Sequence, residues 1–174
     1  LWPDSSEENA RSNLRHELWR MRKTLEISGE TLFLIDDITI MFNPDREYFL
    51  DIGLLEKPPL KESTVDELIR SLSVYQGELL PGFYEEWVFP ERQRLHALFE
   101  AKMAGLLEIL QTEGRWLEIP DWGTRWIGMG QWPEPAYRAL MSAYANTGDT
   151  SKAVATYERL ARGLQKEMGV KPSG

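Results

Sequence analysis

The chain has 174 residues, of which 42% are hydrophobic and 28% charged, proportions that are ordinary for a soluble globular protein. It contains no cysteine, which excludes disulfides, thiolate catalysis and cysteine-based zinc sites. No stretch of about 18 uncharged apolar residues is present, so the sequence predicts no membrane span. The net charge of −8 argues against a nucleic-acid surface covering the whole chain, because phosphate binding needs a positive field.

The start of the chain has neither an initiator Met nor the features of a secretion signal. Residue 1 is Leu, and the first four residues lack the basic start and apolar run of a signal peptide. We therefore expect a piece of a longer protein, and the absence of cysteine fits a reducing cytoplasm.

The charge is unevenly distributed along the chain. Residues 1–25 hold five basic and four acidic residues, a net charge of +1. Since the whole chain has a net charge of −8, residues 26–174 carry −9. Within residues 10–24 the count is five basic residues against one acid. Such a run is usually a solvated helix face, but it is also the one segment whose charge suits contact with phosphate.

Residues 5–25 have the pattern of an amphipathic helix. Ser5 or Ser6 can cap its first turn, where the helix dipole favours the acids that follow. Apolar residues recur at spacings of four, three and four, which places them on one face. They are Leu14, Leu18, Met21 and Leu25. The opposite face holds Ser12, His16, Trp19 and Lys23, flanked by Asn13 and Arg20 on one side and by Arg15 and Arg22 on the other.

A β-hairpin is predicted next. Residues 31–35 and 38–42 are rich in β-branched and aromatic residues and are separated by Asp36-Asp37. Residues 48–52 are candidates for a third strand. A basic helix followed directly by a hairpin is typical of the second half of a winged helix, with its recognition helix and its wing. We assign residues 1–52 to a partial winged-helix DNA-binding domain.

The remainder of the chain is predicted to be helical. Residues 53–62, with Lys57-Pro58-Pro59, have the composition of a linker. Five helical segments follow, over roughly 63–75, 85–112, 116–129, 134–147 and 150–168. We place Pro90 at the first position of a helix that starts near Glu91, with 84–89 forming a shorter turn or helix.

The last part of the chain contains a repeat. Gly114 and Gly148 each lie between two amphipathic helices and are 34 residues apart, which is the tetratricopeptide period. The match is good around the second glycine, where the spaced residues are Leu140, Tyr144, Gly148, Ala153 and Tyr157. It is weaker around the first, where Ile119 stands in place of a small residue. The sequence therefore predicts a mostly α fold, with a tetratricopeptide-like helical-repeat domain over 63–174.

Catalytic motifs are missing from the sequence. There is no phosphate-binding loop, no HExxH, no GxSxG and no dinucleotide fingerprint. Of the two histidines, His16 lies on the exposed face of the first helix and His96 in a long helix. We expect no enzymatic activity, no cofactor and no metal. Five tryptophans are predicted to be structural, namely Trp87, Trp116, Trp122, Trp126 and Trp132.

Three segments carry a family resemblance. Residues 10–23, ARSNLRHELWRMRK, resemble the recognition helix of the OmpR-type winged helices in the SARP (antibiotic regulatory protein) family. Residues 72–82, LSVYQGELLPG, together with Glu86-Trp87 and residues 91–95, resemble the signature of the bacterial transcriptional activator domain that follows this winged helix. Residues 148–172 supply a third matching piece.

The resemblance implies a cytoplasmic activator that binds promoter DNA as a dimer. Its helical domain would support dimerisation and contact other proteins, including RNA polymerase. Arg20 and Lys23 match family positions on the DNA side of the helix and are expected to contact phosphates. The candidates for base edges are Asn13, Arg15, His16 and Trp19.

Two functions remain open at this point. The first is a DNA-binding transcriptional regulator, favoured by the basic helix, the hairpin and the resemblance. The second is a helical-repeat scaffold for protein interactions that does not bind DNA, favoured by the acidity of residues 26–174.

Overall fold

The computed structural model of the chain describes residues 2, 4–25, 31–36, 39–57, 64–130 and 132–173. The protein is mostly helical, as predicted, and it divides into an N-terminal unit, residues 1–49, and a C-terminal unit, residues 50–174. The described elements are α1 (Glu7–Leu25), β1 (Phe33–Ile35), β2 (Ile40–Phe42), α2 (Asp51–Glu56), α3 (Val65–Ser73), α4 (Val88–Thr112), α5 (Ile119–Gly128), α6 (Glu134–Asn146) and α7 (Thr150–Glu167).

Helix α1 confirms the prediction for residues 5–25 to within two residues. Ser6 caps it, since its Oγ accepts a hydrogen bond from the backbone N–H of Asn9 at 3.4 Å. Glu7 and Glu8 lie in the first turn, and Arg22 and Lys23 in the last, as the helix dipole favours. No residue of α1 is buried, so little of this helix's stability comes from packing.

The predicted β-hairpin is present in the N-terminal unit. The antiparallel ladder pairs Phe33 with Phe42 and Ile35 with Ile40. Next in register, the Asp36 carboxylate accepts hydrogen bonds from the backbone N–H and the Oγ1 of Thr39, at 2.7 and 2.6 Å. These bonds connect the chain directly after β1 to the chain directly before β2. The remaining predicted hairpin residues, Asp37 and Ile38, lie outside the described residues.

The third strand predicted over 48–52 is wrong. Residues 47–50 have no regular structure, and α2 begins at Asp51. Residues 53–56, which we expected to belong to a linker, also lie in α2, because Leu55 inserts into the core and is only 2% exposed. The rest of the predicted linker, residues 58–62, lies outside the described residues.

The helices of the C-terminal unit follow the predicted order. Thr64 and Glu67 form a capping box, in which each side chain accepts a hydrogen bond from the other's backbone N–H, so α3 begins at Val65. Helix α4 begins at Val88, three residues before the predicted start near Glu91. Pro90 is tolerated there because the N–H groups in the first turn of a helix have no acceptor within the helix, so a residue without an N–H loses no hydrogen bond. Helices α5 to α7 begin and end within three residues of their predicted limits.

The C-terminal unit contains the main hydrophobic core. Each of the helices α3 to α6 packs against the helix that follows it, and α4 also packs against α6. Fully buried side chains contribute about 1.5–3 kcal/mol each. They include Leu72, Phe99, Met103, Leu106, Leu110 and Ile119. A smaller cluster joins α6 to α7 and consists of Tyr137, Leu160 and Leu164, with Trp132 packed against it.

The two glycines of the predicted repeat end their helices in the same way. Gly114 and Gly148 both adopt positive φ, +69° and +83°. In each case the residue after the glycine donates its N–H to the carbonyl five residues earlier, from Arg115 to Leu110 and from Asp149 to Tyr144, both at 2.8 Å. This is the Schellman arrangement, which a glycine favours because it has no Cβ. The tetratricopeptide interpretation itself stays a prediction.

The tryptophans predicted to be structural do not all behave alike. Trp126 is buried, and Trp116, Trp122 and Trp132 are partly buried against the two cores. Trp87 is 59% exposed, so its side chain lies on the surface. The prediction was wrong for this residue because it lies in the turn before α4, where its neighbour Val88 takes the buried position.

Candidate nucleic-acid-binding helix

All six predicted site residues lie on α1 and are exposed. They are Asn13, Arg15, His16, Trp19, Arg20 and Lys23. The described part of α1 carries five basic and three acidic residues, so it is locally positive in an acidic chain. The helix therefore presents a positive surface whose six candidate side chains are accessible to a ligand.

Trp19 lies at the centre of a small cluster on this surface. The His16 ring stacks against Trp19 with the ring centroids 6.2 Å apart. Lys23 Nζ lies 5.0 Å from the centroid of the Trp19 ring, a cation–π distance that contributes about 0.5–1 kcal/mol at an exposed site. Trp19 itself remains 57% exposed. The three side chains thus form one aromatic and cationic face along about two turns of helix.

Arg20 makes an ion pair within α1. Its Nη1 lies 3.1 Å from Glu17 Oε1, and both side chains are about half exposed or more. Exposed pairs of this kind are worth about 0–1 kcal/mol, so phosphate could take the place of the carboxylate at little cost. Asn13 and Arg15 make no hydrogen bond or ion pair with any residue that the structure describes.

Arg22 has a role that the sequence analysis missed. It was expected to flank the exposed face, but it is partly buried, and its Nη2 donates a hydrogen bond to the backbone carbonyl of Phe33 at 3.3 Å. Arg22 thus ties the last turn of α1 to strand β1. The available signal was its position directly after Met21 and four residues after Leu18, at the border of the apolar face.

His96, the histidine outside α1, lies among aromatic side chains. His96 is packed beside Phe99, and its Nδ1 lies 3.3 Å from the hydroxyl of Tyr75. Burial raises the pKa of Tyr75, with smaller contributions from the charges of Glu100 and Glu78. Among the described residues, no group of His, Asp and Glu is placed to hold a metal ion. Within the same residues, every helix is too short or too polar to cross a membrane.

Comparison with known proteins identifies the C-terminal unit. The family model of the bacterial transcriptional activator domain matches residues 58–174, about two thirds of the chain, and this range contains α3 to α7. No curated protein and no solved structure matches the chain. Members of the family are regulatory domains and are not known as enzymes. The chain belongs to the bacterial transcriptional activator domain family.

Proposed function

We propose that this chain is the DNA-reading and signalling part of a cytoplasmic transcriptional activator. The observation that carries the proposal is the exposed basic and aromatic face of α1, tied to a β-hairpin in a chain of the activator-domain family. A helix that enters the major groove needs cationic side chains for phosphates and polar or aromatic ones for base edges. The exposed face of α1 offers both.

Each residue has a role in this proposal. Arg20 and Lys23 contact phosphates, since their long exposed side chains project from the last two turns. Asn13, Arg15 and His16 read base edges, and Trp19 offers an apolar surface for a thymine methyl group. Arg22 positions the hairpin, the wing of a winged helix, through its bond to β1.

The C-terminal unit has a separate role in the proposal. Its helices form a tetratricopeptide-like array, supported by the matching glycine turns 34 residues apart and by the packing of α4 against α6. The array supports a homodimer and contacts RNA polymerase. Promoter DNA, a second copy and the polymerase are therefore its expected partners.

Salt-dependent DNA binding tests the proposal. Fluorescence anisotropy of the full-length protein with its own upstream intergenic DNA should show affinity that falls steeply with salt, with a log–log slope of roughly −5 for about 6 phosphate contacts. Arg20→Ala should reduce the slope by about one, and the double change Arg20→Ala with Lys23→Ala should abolish tight binding. Arg159→Ala, which removes an exposed arginine of α7, is the matched control and should change neither.

A non-DNA-binding interaction scaffold is the second candidate. The exposed aromatic residues of the C-terminal unit favour it, since large exposed apolar patches mark protein interfaces. Binding no tighter than that of an acidic control protein would favour the scaffold. An equal slope in the wild type and in Arg20→Ala would instead mean that Arg20 does not contact a phosphate.

A further inference from the structure

The segment between α3 and α4 exposes an unusual number of aromatic side chains. We call residues 79–89 the aromatic loop. Within seven residues it presents four aromatic side chains to solvent, with Tyr84 89% exposed and the others about half exposed or more. They are Phe83, Tyr84, Trp87 and Phe89. Monomeric proteins rarely expose apolar side chains so densely, and Trp and Tyr are the residues that dominate binding energy at interfaces.

The aromatic loop is held in place by one arginine. Arg92 donates from Nε to the carbonyl of Leu79 at 2.7 Å, and from Nη2 to the carbonyls of Leu80 and Phe83, the latter at 3.0 Å. Leu80 adopts a φ of +49°, a left-handed conformation that costs free energy in a residue with a Cβ. Because the backbone is fixed before any partner arrives, binding at this loop loses little conformational entropy.

The charge of the aromatic loop is negative. Glu85 and Glu86 lie between its aromatic residues and are exposed, and their carboxylates make no hydrogen bond or ion pair within the described parts of the chain. Two uncompensated carboxylates beside aromatic faces repel phosphate and attract cationic side chains, which can also stack on the rings. The loop therefore selects against nucleic acid and in favour of a basic partner.

A cavity at the base of the loop has the same character. It has a volume of about 300 Å³ and lies between α2, the end of α3 and the first residues of the aromatic loop. Its wall combines apolar residues, among them Ile52, Leu79 and Leu80, with the acidic residues Asp51 and Glu78. Glu78 also lies 3.7 Å from Arg92 Nε, in a pair whose carboxylate side is 57% exposed. An apolar cavity with acidic groups fits a long side chain that ends in a positive charge. Leu79 and Leu80 belong both to the cavity wall and to the aromatic loop, so the cavity and the loop adjoin.

We propose that the aromatic loop and this cavity form a docking surface for a basic, apolar segment of another protein. Lysine or arginine side chains of the segment pair with Glu85 and Glu86, and one of them enters the cavity. Its apolar side chains cover Tyr84 and Trp87. This inference does not depend on DNA binding by α1, so either can fail without the other.

Selection from a random peptide library displayed on phage tests the proposal, with the full-length protein as bait. The enriched peptides should combine at least two Lys or Arg residues with apolar ones. Isothermal titration of a synthesised winner should show affinity lowered more than tenfold by Trp87→Ser. The double change Glu85→Gln with Glu86→Gln should lower it about threefold to tenfold and weaken its dependence on salt. Tyr157→Ser removes a half-exposed aromatic of α7 and is the matched control, expected to leave affinity unchanged.

Several outcomes would overturn the proposal. Two of them concern the selection: the enriched peptides are acidic or uncharged, or no peptide is enriched. A third is equal binding of the peptide by the wild type and by the Glu85→Gln, Glu86→Gln protein. Both of these changes are isosteric and lie on the surface, so the variant is expected to fold. Sedimentation velocity adds another: a concentration-dependent dimer that Tyr84→Ser dissociates would assign the surface to a second copy of the chain.

Discussion

In the C-terminal unit Phe99, Leu106 and Leu110 are completely buried, whereas in the N-terminal unit Leu25 and Phe42 remain about half exposed. The two units use apolar residues of similar type for different purposes. In the C-terminal unit these residues bury surface against neighbouring helices and stabilise the fold. In α1 and the hairpin most of them stay accessible, so that substitutions there should affect contacts with other molecules more than stability.

The largest difference in stability is expected between one leucine-to-alanine substitution in each unit. Leu106→Ala should lower the free energy of unfolding by about 2–5 kcal/mol, because it empties a closed site in the core. Leu25→Ala, the matched change on α1, should cost less than about 1 kcal/mol, because half of that side chain is already in water. Urea denaturation followed by far-UV circular dichroism measures both. Equal costs would mean that α1 is packed as tightly as α4.

Two glycines test how closely the C-terminal helices pack. A Cβ at Gly163 of α7 would lie 2.2 Å from the Trp132 ring, which is held by a 2.6 Å hydrogen bond from its Nε1 to Glu167. Gly163→Ala should therefore lower stability by about 1–3 kcal/mol. A Cβ at Gly105 of α4 would meet nothing within 4 Å, so Gly105→Ala should raise stability by about 0.5–1 kcal/mol. Thermal unfolding distinguishes the two, and a stabilised Gly163→Ala would contradict close packing at Trp132.

Lys102 makes the stability of the C-terminal unit depend on pH. Its buried Nζ donates hydrogen bonds to Ser71 Oγ at 2.5 Å and to the Leu54 carbonyl at 3.2 Å. Burial, and then the charge of Lys57, lower its pKa below the ordinary 10.5. The unfolded chain then binds this proton more tightly, so the free energy of unfolding should rise with pH toward 10.5, by at most about 1.4 kcal/mol per pH unit.

The Lys102→Met variant isolates this effect. It should lose the rise toward pH 10.5 that the wild type has, because the variant has no amine to titrate at this position. Urea midpoints at four pH values measure the difference. Parallel curves for the two proteins would place the pH dependence elsewhere.

The smallest change in stability is expected for Arg20→Ala in the N-terminal unit. Arg20→Ala should alter the free energy of unfolding by no more than about 0.5 kcal/mol, since its pair with Glu17 is exposed. The same variant is expected to weaken DNA binding. A variant that is clearly destabilised would show that Arg20 is needed for the fold of the N-terminal unit, and its loss of DNA binding would then have a structural cause.

The helices could be predicted from the sequence because each carries its own signals. Helix α1 has a serine cap, acids in its first turn and an apolar stripe, and these depend only on neighbours along the chain. Gly114 and Gly148 mark helix ends for the same local reason, since only glycine adopts positive φ without strain. The exposure of the six candidate site residues also followed from helical periodicity.

Tertiary contacts decided the rest. Helix α2 has six residues, too few to be stable alone, and it forms because Leu55 packs between α3 and α4. The hydrogen bond to the Phe33 carbonyl holds the Arg22 side chain away from the exposed face of α1. Trp87 and Trp126 are the same residue type, yet one is exposed and the other buried. Periodicity fixes which face of a helix is apolar, but only packing determines which apolar surface is covered.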